Sequence, residues 1–390
     1  MMQPKTNKTF DERVFNDLKR TIMNMSRASR AREADSRYAM EVPEDIGIKL
    51  NNGCNLRCKH CYEWNEDGFH WAMAKEDQKR EIDIPLIEKL LEFTREKKSK
   101  LYLWGGEPLY YSKFPLLADL LEKDQRTVTI CTNAILLEHH LDSLLKIGEG
   151  LVILVSLEGF EAENDAIRGK GTYQKVIQAV ERLLELQKQG IFKGKVSISL
   201  TMNDAMVTKL FSFMKHFEEM GVDSVYFVYP WYISSESAKE MDELYVKEFN
   251  WLEPVQMEHC SWHSFTYHIS PENIEPLKEE VLRISEHTWK NRIRFMPALE
   301  QDEIGDFVRG IQRTGMNRKQ CLAISTRMDV LPSGSVTPCK FFPELAVGNI
   351  SEVNVKDVWH GENYGKHREL LSCGLMPVCS RCGLLYHYGR

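Results

Sequence analysis

The sequence predicts an α/β fold, a curved partial (β/α)6 barrel followed by a small cysteine-rich domain. Three observations predict it. Short β-rich runs alternate with amphipathic helical stretches from about residue 46 to 230, the pattern of a parallel sheet with helices packed outside. Ten cysteines fall largely into two groups, three within residues 54–61 and three within the last eighteen. The 390 residues exceed what one domain of about 150 needs, so two or three units are expected.

In chain order, residues 1–43 read as a helical extension. Thr9 and Glu12 have capping-box spacing, and Phe15, Leu18, Ile22 and Met25 then recur at helical intervals. Arg27 to Arg37 is rich in Arg, Ala and Ser without interleaved aromatics, which favours a solvated helix face over an RNA-binding segment. Residues 44–235 hold the barrel. Its strands are expected at Ile46–Leu50, Leu101–Trp104, Thr127–Thr132, Leu151–Ser156, Val196–Met202 and Ser224–Tyr229. Helices are expected at Pro85–Lys98, Lys113–Lys123, Leu137–Ile147, Tyr173–Gln189 and Val207–Met220. Six such units are too few for a closed eight-stranded barrel. Residues 236–310 read as a bridge: Trp231–His268 is aromatic with no clear period, and a helix is expected from about Glu272 to Lys290. Residues 311–390 hold half the cysteines, many turn residues and little helical periodicity, as in a small domain organised around metal.

Composition excludes several classes. With 51 basic against 57 acidic side chains the net charge is −6, so no global cationic field recruits nucleic acid or membrane. No run of 18 apolar residues exists, and the first residues lack the apolar core of a signal peptide, so a cytoplasmic protein without a membrane span is expected. In a reducing compartment clustered cysteines more often bind metal than pair.

The first chemical constellation is Cys54-Asn-Leu-Arg-Cys58-Lys-His-Cys61-Tyr62, directly after the first strand. Three thiolates on one loop can hold three irons of a 4Fe–4S cube and leave the fourth open, whereas zinc wants a fourth ligand nearby. The second is Trp104-Gly105-Gly106-Glu107-Pro108, at the end of the second strand. Its glycines permit close approach of a ligand, and Glu107 can accept from an ammonium group. Chemistry in parallel α/β folds gathers at these carboxyl ends.

Together these motifs resemble the radical S-adenosylmethionine (SAM) enzymes, over about residues 46–230. The resemblance implies that Cys54, Cys58 and Cys61 ligate a 4Fe–4S cluster whose open iron is chelated by SAM. It implies that Gly105, Gly106 and Glu107 hold the methionine amino group, that His60 lies near the adenine, and that Ser156 touches the ribose or methionine moiety. Arg168 resembles an arginine that pairs with the SAM carboxylate. Glu158 stands where the family often has Asp. Asn133 matches a Thr-Asn-Gly turn in which Ala134 replaces the usual Gly, and a plain turn role fits it equally.

At the C-terminus, Cys321 and Cys339, which flank a turn expected at Gly334, and the Cys379-Ser-Arg-Cys382 pair supply four thiolates, which by spacing suit either zinc or a fully ligated 4Fe–4S cluster. The pattern resembles the auxiliary-cluster domains called SPASM and twitch, as do Gly348-Asn349-Ile350 and Val358-Trp359. The resemblance implies one auxiliary 4Fe–4S cluster on Cys321, Cys339, Cys379 and Cys382, with Cys373 as the rival ligand. Cys131 is expected as a buried small hydrophobe. Cys260 is weighed between a substrate-pocket role and polar packing, while Tyr229, Trp231 and Tyr232 are candidates to line the barrel mouth.

The implied chemistry is reductive cleavage of SAM to a 5′-deoxyadenosyl radical, abstraction of a substrate hydrogen, and oxidation of the substrate radical through the auxiliary cluster. A reductant such as flavodoxin or ferredoxin would supply the electron. The cysteine count and the short extension favour a small-molecule oxidoreductase, like the aminoglycoside dehydrogenases. A peptide maturase installing a crosslink or epimer competes with it, and a non-catalytic iron–sulfur or zinc protein is the third reading.

Overall fold

Every expected strand of the barrel forms, because each alternates buried apolar outer residues with inner residues that stay partly exposed along most of the sheet. A computed structural model describes residues 4–9, 12–312 and 318–389. The six strands are β1 (Asp45–Lys49), β2 (Lys100–Trp104), β3 (Val128–Thr132), β4 (Leu151–Leu157), β5 (Lys195–Thr201) and β6 (Ser224–Val228). All pair in parallel in sequence order. The connecting helices are α2 (Ile84–Phe93), α3 (Phe114–Asp124), α4 (Leu141–Ile147), α5 (Glu161–Arg168), α6 (Thr172–Lys188) and α7 (Leu210–Met220), and α1 (Glu12–Ala34) precedes them all. Outer residues such as Ile48, Leu103, Ile130, Val155 and Ile198 are fully buried beneath the helices. Each such side chain contributes about 1.5–3 kcal/mol.

The sheet runs beyond the six expected strands. β7 (Arg292–Met296) pairs in parallel with β6, and β8 (Arg327–Val330) pairs in parallel with β1. Two antiparallel strands, β9 (Ser335–Thr337) and β10 (Gly348–Asn349), complete the order β10-β9-β8-β1-β2-β3-β4-β5-β6-β7. The expected divisions at 235 and 310 therefore cut across one sheet. Both added strands escaped notice because their inward positions are charged. In β8, Arg327 and Asp329 face each other bidentately at 2.7 Å on each of two contacts. The pair fits only because position 47 opposite is glycine, where a Cβ would stand 1.7 Å from Asp329 Oδ1.

Two further expectations are corrected. The aperiodic stretch after Trp231 contains a helix, α8 (Ser235–Glu248), capped where Ser234 Oγ accepts from the Ser237 amide at 3.2 Å. After α9 (Ile274–Glu286), the C-terminal region forms α10 (Glu362–Cys373) and α11 (Gly383–Tyr388). The buried face of α10 includes His367 and Arg368 beside Tyr364 and Leu371, so it carries no simple apolar stripe.

The N-terminal extension straps the amino end of the barrel. Lys5–Thr6 pairs with Thr288–Trp289, and Lys8 bonds Asp223 at 2.9 Å, on the β6–β7 side. At the other end Arg32 donates to the Arg368 carbonyl at 2.9 Å, and the Met40 amide donates to the Ser325 carbonyl at 3.0 Å beside β8. The inward face of α1 is Asn24, Ala28, Ser29 and Arg32, while Phe15, Leu18 and Ile22 are exposed. The expected apolar stripe is thus not the packing face, because α1 lies across polar strand ends. Thr9 and Glu12 are both exposed, and the two residues between them lie outside the described residues. Among the described residues no helix is long and apolar enough to cross a membrane.

Candidate active site

The interior of the barrel is open. Along β4 the inward residues Val152, Leu154 and Ser156 are half-buried while their outward neighbours are buried, and β3 shows the same alternation. Most parallel sheets are covered on both faces, so an accessible inner face marks a place for ligand.

The cysteine loop sits at the carboxyl ends of β1 and β2. The Gly106 amide donates to the Asn51 carbonyl at 3.0 Å and the Glu107 amide to the Gly53 carbonyl at 2.9 Å. A Cβ at Gly105 would stand 2.4 Å from Asn51 Oδ1, and one at Gly106 2.3 Å from the Gly53 carbonyl. The two glycines thus let the strand end press against the chain that leads into Cys54. That packing requirement was not visible in the sequence.

Glu107 is a buried strut. Its carboxylate accepts from the Leu109 amide at 2.9 Å, the Asn133 amide at 2.7 Å and the Thr132 hydroxyl. Burial pushes its pKa up against those three bonds. Asn133 also reaches the cysteine loop, its Nδ2 donating to Asn55 Oδ1 at 2.8 Å, and its Oδ1 accepts from the Ile135 amide. Its side chain thus performs the turn role and also steadies the cysteine loop. Ala134 follows at φ +60°, where the family's glycine would sit without strain.

His60, Arg168 and Glu158 meet. His60 Nε2 lies 2.9 Å from Glu158 Oε1, and Arg168 Nη2 donates to the same oxygen at 2.5 Å. Glu158 Oε2 accepts from the Thr201 amide at 3.0 Å. Burial alone would raise the carboxyl, but His60 and Arg168 outweigh it and hold the pKa below the usual carboxylate value. Arg168 thus faces a carboxylate of its own chain, and its field reaches Cys58. Ser156 stands on the inner face, its Oγ 3.9 Å from Cys131 Sγ. Cys131 is half-buried there, contrary to the expectation of a core residue.

The three loop thiols suit a cluster. Burial pushes Cys54 and Cys61 up to about 12 and raises Cys58, with Glu107 and neighbouring thiols adding to the rise at Cys54. Crowded, desolvated thiols of this kind gain by giving their protons up to iron. The C-terminal set behaves alike. Burial raises Cys321 to about 11 and holds Cys339, Cys379 and Cys382 above the ordinary thiol value, and all four lie within one another's electrostatic reach. Ser380, between Cys379 and Cys382, buries its Oγ without a hydrogen-bond partner, and His367 Nε2 lies 3.7 Å from Cys339 Sγ. Cys373 is exposed, unlike the other four. Among the described residues no three candidate ligands are gathered as a single ion would require. A cube instead spreads its thiolates over separate irons.

Several site residues were missed. Lys49 on β1 pairs with Glu63 at 2.7 Å and touches His70 Nε2 at 3.0 Å, fixing the segment after the third cysteine. Lys340, next to Cys339, enters an aromatic cage; burial pushes its ammonium down to about 8. Its place directly after a cysteine was the available signal. Of the mouth candidates, Tyr229 is buried against Phe307 rather than lining the opening, whereas Trp231 meets Phe341 at 3.9 Å and Tyr232 meets His268 at 4.7 Å. Cys260 is buried in the apolar core, its Sγ 3.6 Å from the Gln256 carbonyl, beside a Ser261 that bonds Glu344 at 2.6 and 2.7 Å. Outside the cysteine loop a cleft of about 860 Å³ is lined by Arg57, Lys59, Trp64, Trp71, Tyr267 and His268 among others.

Comparison with known proteins agrees with this geometry. The Radical SAM superfamily profile matches residues 48–214, and the SPASM profile, described as an iron-sulfur cluster-binding domain, matches residues 321–383. Pre-heme d1 synthase of Dinoroseobacter shibae is 30% identical over 193 residues, 49% of this chain and 44% of that protein. Mycofactocin maturase MftC of Mycolicibacterium smegmatis is 27% identical over 164 residues, 42% of this chain and 39% of that protein. The match thus covers less than half the length of either relative. Streptococcus suis SuiB bound to S-adenosylmethionine superposes with a TM-score of 0.59 at 16% identity, covering 96% of this chain and 79% of SuiB, a likeness of fold alone. The two domains bring SAM with its 4Fe–4S cluster, and auxiliary iron–sulfur. The chain carries a Radical SAM domain at residues 48–214 and a C-terminal SPASM iron–sulfur cluster-binding domain at residues 321–383.

Proposed function

We propose that this protein is an oxidoreductase that removes a hydrogen atom from a small molecule held inside the barrel and oxidises the substrate radical through the C-terminal cluster. The observation that carries the reading is the aromatic layer joining the two thiol sets. Tyr62 directly follows Cys61, Phe341 stands two residues after Cys339, and their rings meet edge-on at 5.8 Å. Phe265 stacks on Tyr62 at 4.4 Å, and Trp104 tilts against Phe341 at 5.9 Å. These ring contacts link the segment after Cys61 to the segment after Cys339, which supports a substrate held on the inner face between the two sets.

When bound, SAM and its cluster supply hydrogen abstraction at carbon, and the auxiliary cluster supplies an electron acceptor. Cys54, Cys58 and Cys61 hold the first cluster, and Cys321, Cys339, Cys379 and Cys382 hold the second. Gly105, Gly106, Glu107, Asn133 and Ser156 frame SAM, with Glu107 shaping the turn rather than reaching out alone. Glu158 orients His60 and Arg168 beside Cys58. The ring layer excludes water, which keeps a reactive substrate radical from being lost to solvent. A flavodoxin or ferredoxin supplies the electron.

Iron and acid-labile sulfide counts after anaerobic reconstitution test this reading. About eight irons in the wild type, falling to about four in the Cys54/Cys58/Cys61 triple alanine variant with loss of 5′-deoxyadenosine formation, is the expected result. Retained SAM cleavage in that variant overturns it.

A second reading, peptide maturation, is supported by the aromatic cleft of about 860 Å³ beside the cysteine loop. The name of MftC and the structure of SuiB bound to precursor peptide SuiA point the same way. A short precursor peptide encoded beside this gene, and crosslinked or epimerised by the protein, would establish it.

A further inference from the structure

Lys340 is 8% exposed, and its ammonium stands 4.1 Å from the ring centre of Tyr102, 4.4 Å from Trp104 and 4.8 Å from Phe341. Its recorded contacts are these three ring faces, with no hydrogen bond or ion pair among the described residues. The carboxylates whose fields reach it are committed elsewhere: Asp329 to both contacts with Arg327, and Glu63 to Lys49 at 2.7 Å. The indole N–H of Trp104, the ring under the ammonium, is buried and has no acceptor among the described residues. Two donors, one of them charged, thus stand close together on the inner face of the barrel with no hydrogen-bond acceptor among the described residues. Leaving such groups unmatched is costly, and ring faces offset only part of that cost.

We infer that Lys340 and Trp104 form a binding point for a carboxylate of the substrate, which would make this an enzyme of carboxylate-bearing substrates. The inference rests on the proposed radical SAM reaction and adds the substrate class to it. A carboxylate has two oxygens for the two donors and a single charge for the single ammonium. A phosphate dianion would need more donors than three apolar ring faces leave room for. Because Lys340 lies between Cys339 and the rings of Tyr102 and Trp104, an acid held there sits between the two thiol sets. The same carboxylate chemistry is offered by a free aromatic acid and by a peptide terminus.

The test is calorimetric titration of the reconstituted full chain with matched acids and amides: benzoate against benzamide, and N-acetylphenylalanine against its amide. The wild type is expected to prefer the acid of at least one pair by about tenfold, the effect of one charged hydrogen bond. Lys340→Met is expected to abolish that preference and Lys340→Arg to keep it. Preference confined to benzoate assigns a free acid, and preference confined to N-acetylphenylalanine assigns a peptide carboxylate. No preference in the wild type, or preference surviving in Lys340→Met, overturns the inference and leaves Lys340 as a counter-charge for the neighbouring thiolates. Deoxyadenosine formation from SAM by the wild type, measured separately, reports on the underlying reaction, so either failure is recognised by itself.

Discussion

The two thiol sets of this protein reach similar chemistry by opposite routes. Cys54, Cys58 and Cys61 occupy one loop, whose position follows from two neighbouring parallel strands and a pair of glycines. Cys321, Cys339, Cys379 and Cys382 are spread over 62 residues and meet only because β8 joins the sheet, β9 turns back from it and the last helix folds under the barrel. The Tyr388 hydroxyl on that helix donates to Asp45 on β1 at 2.8 Å, tying the chain's end to the barrel's first strand. Three thiols on a local loop fit an open cluster, where a ligand must reach iron. A set assembled from distant segments brings four thiols together, which suits a fully ligated cluster that exchanges electrons rather than ligands.

The largest expected effect separates the sets outright. Cys339→Ala should lose about four irons while retaining SAM cleavage and failing to oxidise substrate, as read by iron analysis and product assay. Normal product from that variant would make the C-terminal set structural. Next comes the ion pair beside Cys58. Glu158→Gln leaves Arg168 buried without its counter-charge and should destabilise the protein by about 3–5 kcal/mol, measured by denaturant unfolding of the metal-free chain. An unchanged midpoint would mean that Arg168 finds another partner.

A smaller effect tests the packing of the cysteine loop. Gly106→Ala forces a methyl group against the Gly53 carbonyl and should cost about 2–3 kcal/mol, with incomplete loading of the first cluster and full loading of the second. Equal losses at both sites would show that the two sets assemble as one unit. The smallest effect is expected at the exposed rival: Cys373→Ser should leave iron content and unfolding unchanged. Loss of iron there would bring Cys373 into the ligand set.

Charged positions separate what was legible from what was not. Strands β1 to β6 could be read because their outer sides are continuous runs of Ile, Leu and Val, and periodicity is a local property. β8 could not, because Arg327 and Asp329 lie inward and are made affordable by Gly47, 280 and 282 residues away in sequence. The apolar stripe of α1 misled for a related reason, since that helix answers polar strand ends rather than the core. Glu107 and Arg168 were recognisable as site residues, yet their partners were not, for hydrogen bonds to Thr132, Asn133 and Glu158 depend on how neighbouring strand ends are staggered.

By itself the sequence determined the alternating barrel, the cysteine loop at a strand's carboxyl end and the presence of a second thiol group. Each rests on spacing within a short stretch, which chain connectivity enforces directly. Only the tertiary structure decided that the C-terminal region completes the sheet, that an aromatic layer joins the two thiol sets and that Lys340 stands unpaired between them. Those features depend on burial of charge and on ring contacts between segments far apart in the chain, and no local pattern encodes either.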